Sequence, residues 1–240
     1  MVTEAVITAA SGKIVTIGIT PTEPSSAFGY IRACTPLGLA HAPNALAVES
    51  FVEKPDSETA QKYLDSGDYT WNAGMFVAPV SLMLQHLEKN EPALYAGVMK
   101  IAKAWDTPER ESIMEQTWGT LPKTAIDYAV AEPAAAAGDV AMVPGSFSWD
   151  DVGDFDAVAR LNQEKHGEGL TILGDEDNVI NQGCSGIVVA NSNRKISVIG
   201  LDDIVVVDTP DALLVAPRER AQAVKDTVAE LKDRGLADLL

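Results

Sequence analysis

Along residues 1–162 the spacing of apolar positions alternates between the two-residue period of a strand and the three-to-four-residue period of a helix. Residues 2–10 read as a helix with little before it to pack against. Residues 13–19, KIVTIGI, read as a strand, β-branched and entered through Gly12. Pro21 and Pro24 punctuate a loop, and residues 27–34, AFGYIRAC, read as the next strand with Gly29 inside it. A glycine there marks either a β-bulge or a place where a ligand or another backbone comes close. Residues 45–51 predict a third strand, which delivers Glu53 and Lys54 at its end before Pro55 stops it. The following helix is capped by Asp56 or Ser57, turns Ala60, Tyr63 and Leu64 inward, and ends at Gly67. Residues 71–78 return to strand, and Pro79 opens another helix.

Val80, Met83, Leu84 and Leu87 repeat at helical spacing, as do Leu94, Val98, Ile101 and Trp105, so both stripes predict core-facing sides. His86 falls on the solvated side of the first. Residues 109–118 and 123–132 predict two short helices, the second with Asp127 and Glu132 polar among apolar neighbours. Residues 139–143 predict a strand that feeds SFSWDDVGDF. There Trp149, Asp150, Asp151 and Gly153 precede a helix with Phe155, Val158 and Leu161 on its apolar face. Carboxylates at such a place suit a hard cation, and Asp150 and Asp154 equally suit helix capping.

The texture changes after Asn162. A polar linker at 164–168 leads into short β-like pieces: TIL, NVI, GIVVA, KISVIG, DIVVVDT and ALLVA. Turn residues separate them, which predicts a domain over 1–163 and a small all-β appendage over 164–240. The appendage reads as left-handed β-helix-like, with a six-residue repeat that the irregular spacing shows only faintly. Residues 217–234 predict an amphipathic helix whose face of Ala221, Val224, Val228 and Leu231 packs on its own chain or on a second copy.

Composition narrows the partners. The 240 residues carry a formal charge of −17, which disfavours nucleic acid and anionic lipid. An anionic substrate then needs a local cation, so a lysine in a pocket-like motif carries weight. Cys34 and Cys184 stand in no metal-ligand spacing; two reduced thiols or one disulfide both fit. Residues 1–13 lack a basic-then-apolar leader, and no apolar run spans a bilayer. The expectation is a cytoplasmic protein without a membrane partner.

The candidate chemistry lies in residues 51–76, FVEKPDSETAQKYLDSGDYTWNAGMF. Glu53-Lys54-Pro55 and Trp71-Asn72-Ala73-Gly74 are polar clusters in apolar surroundings, joined by a short helix. A carboxylate and an amide bond hydroxyls, and an ammonium meets phosphate, so the set suits a sugar phosphate. A surface turn beside a buried strand gives the same pattern.

FVEKPD, YTWNAGMF, PKTAIDYAVAE and SWDDVGDF in this order resemble the GDP-mannose pyrophosphorylase (mannose-1-phosphate guanylyltransferase) family of sugar nucleotidyltransferases. The resemblance runs over essentially the whole chain, and the set of motifs carries it rather than any one. It implies an α/β fold: an incomplete Rossmann-like nucleotidyltransferase domain, the sugar-binding half, then the β appendage and the C-terminal helix. It implies a reaction in which mannose 1-phosphate attacks the α-phosphate of GTP and pyrophosphate leaves. Catalysis is then alignment plus charge neutralisation by Mg²⁺ and cationic side chains. The resemblance assigns Lys54 to the sugar phosphate as the catalytic cation. It assigns Glu53 and Asn72 to sugar hydroxyls, Gly29 to close backbone approach, and Asp151 to Mg²⁺, with Asp127 behind them.

The chain departs from the family in one large respect. No GGxGTRLxP loop, the family's triphosphate cradle, occurs in the sequence. Ala125 and Pro133 also stand where a serine and a basic residue are expected. The expectation is therefore an enzyme that handles GTP only when a missing half is supplied, or a sugar-phosphate-binding or assembly relic. A hexapeptide-repeat acyltransferase is disfavoured, since His41, His86 and His166 fall in loop or surface contexts. Half of an α/β sheet exposes an edge strand, which predicts homo-oligomerisation or association with an intact paralogue.

Overall fold

The computed structural model describes residues 1–153, 155–166 and 169–239. Asp154 lies outside them, as does the side chain of His166. The chain forms two compact units, Met1–Trp149 and Asp150–Leu240.

Unit 1 is built on five strands: β1 (Ile14–Ile19), β2 (Tyr30–Pro36), β3 (Leu46–Val52), β4 (Tyr69–Val77) and β5 (Val140–Gly145). They run in the order β1-β4-β2-β3-β5, and β5 closes on β1. The β1–β5 pair is parallel and the other pairs are antiparallel. Closure corrects the expected exposed edge: β3 reaches β5 through Leu46 opposite Met142 and Ala47 opposite Ala141. Register shifts in β1–β4 and β2–β3 supply the extra bend that lets a short sheet curl. The edge argument for association therefore lapses.

Every residue of β1 is buried, because both its faces are covered. On one side Val15, Ile17 and Ile19 pack with Tyr30, Trp71 and the small residues Ala5 and Ala9 of α1 (Val2–Ala10). The opening helix thus finds its partner in the strands that follow it. On the other side Ile14 packs with Ile31, Val48, Phe51, Met142 and the alanines around α6 (Glu132–Ala136). Between β3 and β4 lies α2 (Ser57–Ser66); the Asp56 carboxylate accepts the Thr59 N–H at 2.7 Å, and Gly67 ends the helix in the left-handed conformation.

Three helices follow β4: α3 (Val80–Asn90), α4 (Pro92–Ala104) and α5 (Arg110–Trp118). Met83 and Leu87 face the second core layer as expected, but Val80 and Trp105 are exposed. His86 corrects its expected solvation. It is 5% exposed, with Nε2 3.2 Å from Asp139 Oδ2. Here α3 packs against both α4 and the segment before β5, so its polar side is not left to solvent. The helix expected over 123–132 begins later, as a π-helical turn, Asp127–Ala131, running into α6. The Glu132 N–H reaches the Asp127 carbonyl. Pro133 has no N–H to continue the α ladder, and the wider turn before it absorbs that loss.

Unit 2 contains all six strands expected from the β-like pieces. Three stack in parallel register, β6 (Leu170–Gly174), β8 (Gly186–Ala190) and β10 (Ile204–Asp208), and β11 (Leu213–Pro217) adds antiparallel to β10. On a second face β7 (Val179–Gln182) pairs in parallel with β9 (Ile196–Ile199). Successive coils give one strand to each face, a β-helix-like arrangement. Leu170, Gly186 and Ile204 stack although the coils between them differ in length, which is why the sequence shows no clean repeat. Gly186 has φ 117°, and a Cβ there would collide with the Ile204 carbonyl oxygen.

The two units divide at 149/150, ahead of the boundary expected at 163/164, because α7 (Phe155–His166) packs Ala159, Phe155 and Val158 on Ile187 and Val205 of unit 2. The expected C-terminal helix is split into a 3-10 segment, Arg218–Ala223, and α8 (Val224–Asp233). Arg218 pins the first part: Nε donates to Asp156 Oδ1 at 2.7 Å and Nη1 reaches Asp203 Oδ1 at 3.1 Å. Val224, Val228 and Leu231 are half-buried. Among the described residues no helix is long and apolar enough to cross a membrane, and both cysteines are free thiols.

Candidate functional site

Four of the residues picked out by sequence converge in unit 1. Glu53 and Lys54 leave the end of β3, Asn72 lies on β4, and Gly29 immediately precedes β2. Phe28 stands edge-on to Trp71 with centroids 4.9 Å apart, which fixes the segment that carries Gly29. The Gly29 carbonyl accepts the Asn72 N–H at 2.7 Å. No bulge is involved at Gly29: a Cβ there would collide with Glu53 Oε2 and crowd Asn72. The neighbour that crowds Gly29 is a carboxylate side chain, rather than the ligand or second backbone read from sequence.

Glu53 and Lys54 form an asymmetric ion pair. Nζ donates to Oε1 at 2.7 Å, with the Glu53 side chain 7% exposed and that of Lys54 56% exposed. The buried partner is thus an acceptor and the cation faces solvent. The hydrogen bond to Glu53 holds the Lys54 amine above the ordinary lysine range. Partial burial opposes this, and the charges of Glu53, Tyr128 and Asp127 reinforce it. Lys54 also takes φ 47°, in the left-handed region that a side chain rarely occupies.

Asn72 is 7% exposed, and its orientation is decided by its neighbours. Oδ1 accepts the Thr16 hydroxyl at 2.6 Å and the Gly74 backbone N–H at 3.1 Å. A backbone N–H only donates, so the carbonyl must face it and the amide N–H groups point away. Nδ2 donates to Asp127 Oδ1 at 3.3 Å. The site therefore offers a ligand amide donors and the Lys54 cation, with Glu53 as acceptor.

Two supports were not assigned from sequence. Thr16 is a lone polar residue in the buried β1, and Glu132 accepts the Glu53 N–H at 2.9 Å. The signal for both was similar: a polar residue among apolar neighbours.

Asp151 lies outside unit 1. It belongs to unit 2, is exposed, and its carbonyl accepts the Gly153 N–H at 2.6 Å. The adjacent Asp150 is held by Arg160 at 2.7 Å. Among the described residues no three His, Cys, Asp or Glu side chains are grouped to hold a metal. The described residues also form clefts without the side chains of Glu53, Lys54 and Asn72. One of about 660 Å³ is lined by Tyr95, Met99, Lys100, Lys103 and Ile113, and one of about 720 Å³ by residues around Asp175 and Arg194. The first has no buried polar group converging on it, and unlike the Glu53–Asn72 cluster it is not organised to orient a polar ligand.

The chain belongs to the nucleotidyl transferase family, whose model matches residues 1–168. Residues 177–231 match a MannoseP isomerase/GMP-like beta-helix domain. Xanthan biosynthesis protein XanB of Xanthomonas campestris pv. campestris is 39% identical over 99% of this chain and 48% of its own length. The mannose-1-phosphate guanylyltransferase of Escherichia coli is 36% identical over 95% of this chain and 46% of its own. The crystal structure of a mannose-1-phosphate geranyltransferase from Thermus thermophilus superposes with a TM-score of 0.75 at 29% identity, covering 96% of this chain and 64% of that one. The chain spans about half the length of the curated relatives it matches.

Proposed function

We propose that unit 1 binds a sugar 1-phosphate, mannose 1-phosphate in the first instance, as its part in a mannose-1-phosphate guanylyltransferase reaction. The observation that carries this is the oriented set at the end of β3: the buried Glu53 acceptor, the exposed Lys54 cation and the fixed amide of Asn72. In this reading Glu53 accepts sugar hydroxyls, Asn72 donates to a sugar oxygen, and Lys54 exchanges its bond to Glu53 for one to phosphate. Lys54 is the catalytic residue proposed here. Gly29 leaves the room that a side chain would fill. A cytoplasmic location fits such water-soluble phosphorylated substrates.

Mg²⁺ would supply charge neutralisation on the phosphates. Asp151 offers the right donor, an exposed carboxylate oxygen, and Mg²⁺ is commonly held by one or two carboxylates plus substrate phosphates. Within this chain the protein's own contribution is what Glu53, Lys54 and Asn72 do. They orient the sugar and hold its phosphate as nucleophile.

The 240 residues hold no GGxGTRLxP sequence, so we expect them to bind the sugar phosphate and not to turn over GTP by themselves. The second reading is a sugar-phosphate-binding protein that catalyses nothing. Calorimetric titration with mannose 1-phosphate and, separately, with Mg-GTP tests both. Heat from the first and none from the second is the expected result. No binding of mannose 1-phosphate overturns the assignment, and GDP-mannose formation by the pure chain overturns its incompetence. An in-frame GGxGTRLxP upstream of the Met1 codon would favour the enzyme over the binding protein.

A further inference from the structure

At Lys54 the backbone takes an unfavourable conformation, and the neighbouring Glu53 N–H is bonded by a side chain from another element. Lys54 has φ 47°, one of two non-glycine residues with positive φ among the described residues. The last ladder pair of β3 with β2 is Val52 opposite Tyr30, so the Glu53 N–H lies past the sheet's hydrogen bonding. It donates instead to Glu132 Oε1 at 2.9 Å, across a separation of 79 residues. Glu132 stands where the π-helical turn of Asp127–Ala131 passes into α6, and α6 packs against β3. The register change before Pro133 determines where Glu132 projects.

We infer that Glu132 is a positioning residue: its carboxylate fixes the left-handed Glu53–Lys54 turn and so aims the Lys54 ammonium. Resting on the sugar-phosphate reading for its functional consequence, this goes beyond it by assigning a residue that touches no ligand. An acceptor oxygen at the reach of glutamate is what the turn requires. The negative charge is secondary, since the partner is a neutral backbone N–H.

The test separates reach from charge. Amide hydrogen exchange, read by NMR on the whole chain, should show the Glu53 N–H protected in the native protein and in Glu132→Gln. It should exchange at least about tenfold faster in Glu132→Ala and Glu132→Asp, while the amides of β1 keep their protection. Affinity for mannose 1-phosphate should follow the same order, near native for Glu132→Gln and weaker by about tenfold in the other two. Unchanged Glu53 exchange in Glu132→Asp and Glu132→Ala would overturn the inference, as would Glu132→Gln behaving like Glu132→Ala. If Glu132→Ala does not fold, Glu132→Asp against Glu132→Gln decides alone. Should the native chain bind no mannose 1-phosphate, the ligand assignment falls, and the exchange data still decide the role of Glu132.

Discussion

Thr16 is the residue on which the orientation of Asn72 turns. Its hydroxyl is fully buried and shares Asn72 Oδ1 with the Gly74 N–H. Thr16→Val keeps the shape of β1 and removes one of two donors. One donor remains, so the loss should be about 1 kcal/mol, checked by urea unfolding. Mannose 1-phosphate affinity should fall several-fold because the amide is less constrained. An unchanged affinity would show that Gly74 alone orients Asn72. Lys54 and Glu53 give a pH prediction of definite sign. The folded-state pKa of Lys54 is raised, chiefly by its hydrogen bond to Glu53. The stability this pair contributes is complete below the ordinary lysine pKa and is lost as pH rises through the raised one. With the lysine more than half exposed, the effect on stability is small. The clearer readout is NMR titration of the Lys54 side chain, which should titrate lower in Glu53→Gln than in the native protein. Equal titration would remove Glu53 as the cause.

At the scale of elements, unit 2 depends on backbone stacking that only glycine permits. Gly186→Ala forces a side chain against the Ile204 carbonyl at positive φ and should cost about 3 kcal/mol or more. All four tryptophans, Trp71, Trp105, Trp118 and Trp149, lie in unit 1. The core clusters among the described residues are each drawn from one unit. Circular dichroism should therefore show early loss of the β coils in Gly186→Ala while the tryptophan fluorescence midpoint stays in place. Both signals moving together would mean that the units unfold as one. The elements themselves were largely legible in the sequence. All six short strands of unit 2, a cap at Asp56 or Ser57 and the Gly67 stop were read from local pattern, because turn and cap chemistry is local. What escaped depends on contacts distant in sequence. Closure of β3 on β5 rests on two residue pairs with no local signature. His86 looked solvated because periodicity sees one buried face, and α3 has two neighbours. Of the site, Gly29, Glu53, Lys54 and Asn72 were legible as residue types in short motifs. Thr16 and Glu132 act through bonds spanning 56 and 79 residues, which one sequence does not display.

The whole molecule sets the terms on which its site meets an anion. Unit 1 carries 17 Asp and Glu against 9 Lys and Arg, and within it Glu53, Asp127 and Glu132 stand around the Lys54 cation. A sugar phosphate approaching from solvent moves against that field until it is within reach of Lys54. The local attraction is already partly neutralised by the 2.7 Å bond to Glu53. Salt screens both contributions, but the repulsion is summed over many distant charges and is lost first, since the Debye length is about 10 Å at 0.1 M. The affinity for mannose 1-phosphate should then rise roughly two- to fivefold between about 20 mM and about 200 mM NaCl, the reverse of a basic phosphate site. Glu53→Gln frees the lysine and removes one opposing charge, so its affinity should depend on salt more weakly or with the opposite sign. Calorimetric titration of the two proteins across that range decides the matter. A native affinity that falls with salt would mean that Lys54 acts as an unpaired cation, with Glu53 already displaced before the phosphate arrives.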